Sequence, residues 1–144
     1  MTPLDLRTHP PRPSRDALLG FFLLARTVDK LRAELPGGNL GDYLNHDAGF
    51  SAFVVKRLGL DMDLLRQAVA SASDEDALLE WLRARIDATL APALNAKLES
   101  FVVERMSAED QVRVRERHPV MAVRPELTKI LDILDADDRH AFTR

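Results

Sequence analysis

Residues 14–35 read SRDALLGFFLLARTVDKLRAEL, and the spacing of their apolar side chains decides the fold. At about 100° per residue, Leu18, Phe21, Phe22, Ala25, Val28 and Leu35 fall on one face of a helix over residues 15–35, with Ser14 as its cap. Asp29 and Arg32 fall on that same face. Arg26 sits at its edge, so Asp29 lies between arginines at i−3 and i+3. A charge that must leave water costs several kcal/mol unless it is paired. The cluster is therefore either a structural ion pair or a binding site. Lys30 falls off this face and reads as solvated.

Outward from this helix, Pro36-Gly37-Gly38 is a stop signal. A loop over residues 39–47 holds Gly41, the only tyrosine, Tyr43, and His46. The pattern then predicts a second helix over 48–58, with Phe50, Phe53, Val54 and Leu58 on one face. Asp61 or Asp63 caps a third helix through about residue 70. Ser73-Asp74-Glu75-Asp76 opens a fourth by cap logic, with Leu78, Leu79, Trp81, Leu82 and Ile86 inward. Pro92 breaks that run, and a fifth helix is predicted over 93–105. Ser107 caps a sixth element, whose VRVRER stretch alternates with period two and leaves a short strand open. Pro125 opens a last helix over 125–134, followed by a fraying polar tail.

Residues 1–13 hold Pro3, Pro10, Pro11 and Pro13 and are predicted to form an extended arm lying over the helices through Leu4 and Leu6. No repeat or hairpin signal appears. The expected fold is all-α: one domain over residues 1–144, a bundle of six or seven helices with a proline-rich N-terminal arm.

The composition bounds the function. A chain of 144 residues with net charge −3 carries no global basic field for nucleic acid or anionic membrane. Cysteine is absent, which excludes thiol catalysis and thiolate metal sites and fits a reducing compartment. The longest strongly apolar run, residues 17–25, is too short to span a bilayer. The expected location is the cytoplasm. His9, His46, His118 and His140 show no i, i+3 or i, i+4 pairing, and there is no HExxH, Walker or GxSxG pattern, so neither metal nor cofactor is expected. Asp137 and Asp138 read as solvated. The arginines of residues 113–124 read as a solvated face, since no aromatic lies among them for stacking bases.

The blocks Pro10-Pro11-Arg12, Arg26-Thr27-Val28-Asp29-Lys30-Leu31-Arg32-Ala33 and Leu40-Gly41-Asp42-Tyr43 together resemble an uncharacterised bacterial family, the domain of unknown function 5069. Residues 53–61 and 131–138 are weaker echoes of the same family. Pro13 precedes Ser14 here, where the family usually places Ser before Pro. Leu94 stands where a tryptophan often precedes the asparagine that remains at Asn95. The resemblance implies no particular activity.

Two functional readings follow. One is a small interaction or regulatory module with a protein partner, acting through a helix face. The alternative is an anion-binding protein or enzyme. In it Arg26, Asp29, Arg32 and Tyr43 hold a carboxylate or phosphate, with Asp29 positioning the arginines and Tyr43 and His46 brought near. The apolar run Phe21-Phe22-Leu23-Leu24 also makes a homodimer conceivable.

Overall fold

Of the predicted apolar face, Leu18, Phe21, Ala25 and Val28 are buried and Phe22 and Leu35 partly so, but only ten of residues 14–35 form a helix, α1, Leu24–Ala33. In the computed structural model, which describes residues 1–43 and 49–143, seven more helices follow. They are α2 Phe50–Arg57, α3 Met62–Ser71, α4 Glu75–Arg83, α5 Ala91–Glu99, α6 Ala108–Arg117, α7 Val120–Val123 and α8 Ile130–Phe142. Short 3₁₀ turns stand at Ala88–Leu90 and Val103–Arg105. The described residues contain isolated bridges but no strand. The fold is all-α.

Residues 15–23 depart from the expected helix for identifiable reasons. The Ser14 backbone N–H and hydroxyl both donate to Asp135, at 2.7 and 2.8 Å, so Ser14 is tied to α8 rather than capping a helix. Leu18 and Phe21 exchange backbone hydrogen bonds of 3.1 and 3.0 Å across a tight turn. Its central residues, Leu19 and Gly20, both have positive φ, 52° and 84°. That is the geometry of a hairpin turn with two left-handed positions, which glycine accepts and leucine adopts at a cost of about 1–2 kcal/mol. Asn95 of α5 clamps the turn: its side-chain oxygen accepts from Phe22 N–H and its amide donates to the Gly20 carbonyl. Here lies the place of the asparagine noted in the family resemblance.

Around α1 the core closes from two sides. Leu24, Ala25, Val28 and Leu31 are sealed from solvent, as are Leu65 and Val69 of α3, Leu78 and Leu82 of α4, and Ile130, Leu131 and Ile133 of α8. α1 packs against α2 and α3, while α5 and α7 pack on α8. Of the apolar run over residues 21–24, Phe21, Leu23 and Leu24 are buried in this core and Phe22 is partly buried.

Residues 1–13 carry no helix. Leu6 N–H donates to the Asn39 carbonyl and Asn39 N–H to the Leu4 carbonyl, at 2.8 and 2.9 Å. The approach is so close at Gly38 that a Cβ there would lie 2.9 Å from the Leu4 oxygen and 2.6 Å from that of Ala33. Leu6 is buried.

The C-terminal third closes one reading left open by the sequence and departs from it at two other places. Residues 111–117 are helical, within α6, and the period-two alternation reflects an exposed helix with no buried residue. Val103 N–H donates to the Thr128 carbonyl and Ile130 N–H to that of Phe101. This pairing holds residues 128 and 129 extended beside the end of α5, so the last helix begins at Ile130 and not at Pro125. The polar tail does not fray: α8 runs to Phe142 because Ala136 and Asp138 turn inward.

Candidate functional site

α1 carries charges on two flanks. At about 100° per residue, Lys30 lies some 40° from Arg26, while Asp29 and Arg32 lie about 60° and 120° round the opposite way. The four expected site residues are therefore divided: Asp29 and Arg32 face the N-terminal segment, and Arg26 and Tyr43 meet α8. The structure does not bring them into one cluster.

On the first flank the partner of Asp29 is Arg12, not Arg26. Asp29 accepts from the Arg12 backbone N–H at 2.8 Å and from its guanidinium at 3.0–3.2 Å. The same guanidinium also donates to Glu75 at 2.7 Å. Arg32 stands 3.8 Å from Asp29 and donates instead to the Thr2 carbonyl at 2.8 Å. Asp29 is 4% exposed and accepts from three N–H groups of Arg12, so it fastens the N-terminal segment to α1. Asp29→Ala leaves Arg12 part-exposed and still beside Glu75. We expect a loss of about 1–3 kcal/mol by urea unfolding, mostly from the abandoned donors; an unchanged midpoint would mean the pairing contributes nothing.

The second flank opens on a cleft of about 1030 Å³ between α1, α2, α6 and α8. Arg26, only 4% exposed, donates to both oxygens of Asp138, at 2.5 and 3.3 Å. The Tyr43 hydroxyl donates to the same carboxylate at 2.8 Å, and the Arg26 guanidinium lies 5.6 Å from the Tyr43 ring centroid. Burial, reinforced by the charge of Asp138, holds the Tyr43 hydroxyl protonated well above its ordinary value. Asp138 is itself buried, which corrects its reading as solvated. His118 and Asp137 meet at 3.1 Å on the cleft wall. Burial works to raise the Asp137 carboxyl, but the hydrogen bond and charge of His118 prevail and hold it below its usual value.

Lys30 shares this wall and is not solvated. Burial pushes its amine down to about 7, and the positive charges of Arg26 and Arg117 push the same way against the pull of Asp138. Among the described residues the one hydrogen bond of its amine is a long one, 3.5 Å, to the Ser51 hydroxyl, and none of their carboxylates forms an ion pair with it. Arg117 donates to the Asp42 backbone carbonyl at 3.1 Å and has no carboxylate partner among the described residues. The other arginines of residues 113–124 are engaged locally: Arg113 with Glu109 and Asp110, Arg115 with Gln111, Arg124 with Glu126. His46 lies outside the described residues. Among those residues no group of three or more His, Asp or Glu side chains is disposed to hold a metal ion, and no helix is long and apolar enough to cross a membrane.

These contacts join the blocks that carried the family resemblance: Arg12 to Asp29, and Arg26 and Tyr43 to Asp138. The model of the family described as Domain of unknown function (DUF5069) matches residues 8–140. The chain belongs to that family. No curated protein matches it. Within this DUF5069 chain, sequence reasoning missed Arg12, Lys30, Ser51, Arg117 and Asp138 as members of the two charged sites. For Lys30 a signal was present, since i, i+4 from Arg26 places it on the same flank. For Asp138 and Arg12 there was none, because their partners lie 112 and 17 residues away along the chain.

Proposed function

We propose that the cleft between α1, α2, α6 and α8 binds a small anion, a carboxylate or a phosphate, through Lys30 and Arg117 with Arg26 behind them. The observation that carries this reading is an imbalance. Arg7, Arg26, Lys30, Arg113 and Arg117 line the cleft against Asp42, Asp137 and Asp138, in a chain whose net charge is −3. Of these cations, Lys30 and Arg117 have no carboxylate partner among the described residues, and Arg26 uses only part of its five-donor fork on Asp138. A buried cation without a counter-charge is costly, and a bound anion removes that cost. Tyr43 holds Asp138 in place so that Arg26 is pre-organised, which lowers the entropic cost of recognition. Absence of cysteine supports placing this activity in the cytoplasm.

The test is thermal shift with inorganic phosphate and with small carboxylates at pH 6 and pH 8. Binding requires a protonated Lys30, so the stabilisation should be larger at pH 6, where an amine titrating near 7 is charged. Exposed Arg117, changed to Ala, should weaken phosphate binding by about tenfold. No shift with any anion would favour the other reading, a module that docks on a protein partner, as would a pulled-down partner whose binding ignores Arg26 and Tyr43.

A further inference from the structure

We propose that Lys30 is a nucleophilic amine that forms an imine with a small carbonyl compound carrying an anionic group, a 2-oxo acid being the simplest. This rests on the anion-site reading and names the substrate class of that site. Three features of the geometry point to it. The amine lines an open cleft, so a molecule of this size reaches it. It has no ion-pair partner among the described residues, and its single hydrogen bond, to Ser51, is long. Phe50 and Leu134 line the same cleft, as do Arg26 and Arg117, whose charges act on the amine. Apolar surroundings and neighbouring cations are the two conditions that keep a lysine neutral and therefore nucleophilic near pH 7. The depressed value of about 7 agrees with that arrangement.

The chemistry balances without an oxidant or reductant. The Nζ lone pair attacks the carbonyl carbon, a C–N bond forms, and the carbonyl π pair moves to oxygen, which takes up a proton. The resulting carbinolamine loses that oxygen as water. Both hydrogens of the neutral amine leave with it, and a C=N bond remains. The anionic group of the substrate would sit against the free donors of Arg26 and Arg117, placing the carbonyl carbon next to Nζ. Once its nitrogen takes up a proton from water, the resulting iminium withdraws electrons from the adjacent carbon, as a protonated carbonyl would.

The chain has only four lysines, Lys30, Lys56, Lys97 and Lys129, so labelling is readily mapped. Glyoxylate with cyanoborohydride at pH 7 fixes each imine as a carboxymethyl group on nitrogen, located by peptide mass spectrometry. An ordinary lysine near 10.4 is almost wholly protonated at that pH, so Lys30 should be labelled about tenfold faster than the others, or more. The amine of Met1, held by the Ala72 carbonyl, maps to a different peptide and does not confuse the result. Inorganic phosphate should protect Lys30, and Arg117→Ala should slow its labelling by about tenfold. If phosphate shifts the melting temperature while Lys30 is labelled no faster than Lys56, Lys97 and Lys129, the imine is wrong and the anion site stands. If phosphate neither shifts melting nor protects Lys30, the anion site is wrong. Labelling of Lys30 that phosphate does not slow overturns the shared site.

Discussion

Asp138→Ala is expected to cost about 3–5 kcal/mol of stability, the largest effect of any single side chain outside the apolar core. The reason is what it leaves behind. Arg26 is only 4% exposed and has Asp138 as its sole carboxylate partner among the described residues. Removing that partner strands a guanidinium out of water, and it strands the Tyr43 hydroxyl as well. The loss should appear as a lower urea midpoint with an unchanged slope. Tyr43→Phe removes one donor and leaves the ion pair, so it should cost only about 1 kcal/mol. The double variant Arg26→Met with Asp138→Leu should recover most of the loss, because apolar groups of similar volume leave no buried charge. A stability for Asp138→Ala within 0.5 kcal/mol of the parent, about the spread of ordinary surface changes, would show that water from the cleft reaches the pair.

The same side chains show what a sequence can and cannot disclose here. The apolar stripe of residues 14–35 was legible because burial follows a local period, and Phe21, Ala25 and Val28 are fully buried. The helix assigned to all of that stripe was not correct, because the bonds that unwind residues 15–23 come from Asn95 and Asp135, far along the chain. Caps at Asp61, one of two candidates, and at Ser107 were legible because each serves its own helix within three residues, whereas the fourth helix is capped by Asp74 and not by Ser73, where the capping pattern begins. The start of α8 was not legible, since the pairing of residues 128–130 with 101–103 has no local signature. Misplaced charges on α1 did mark side chains held in buried ion pairs. Their grouping was wrong because a single apolar face was drawn where the helix has two charged flanks, and only tertiary structure shows that Arg26 reaches α8 while Asp29 reaches Arg12.

Lys30 should make the protein's stability climb with pH through a range in which most proteins are level. In the folded chain its amine titrates near 7, while in the unfolded chain it returns to about 10.4. Between those values the unfolded state binds the extra proton, so the free energy of unfolding rises with pH, with a slope approaching about 1.4 kcal/mol per unit. Below pH 7 both states are protonated and the full cost of burying the ammonium is present. Above about 10.4 both are neutral and the contribution is constant. The groups facing Lys30 bound the useful window. They are Arg26, Arg117 and Asp138, and on the same cleft wall Asp137, whose carboxyl is held below its usual value. Tyr43, held protonated by burial, opposes the trend only where unfolded tyrosine ionises, near pH 10. Chemical unfolding from pH 6 to 9.5 in a buffer without phosphate or carboxylate should therefore show the rise in the parent. Lys30→Met should show none, and should be the more stable protein at pH 6, with the gap closing as pH increases. Parent and variant curves that run parallel from pH 6 to 9.5 would place the Lys30 amine in water, and with it would fall the reason for expecting either anion binding or nucleophilicity at this residue.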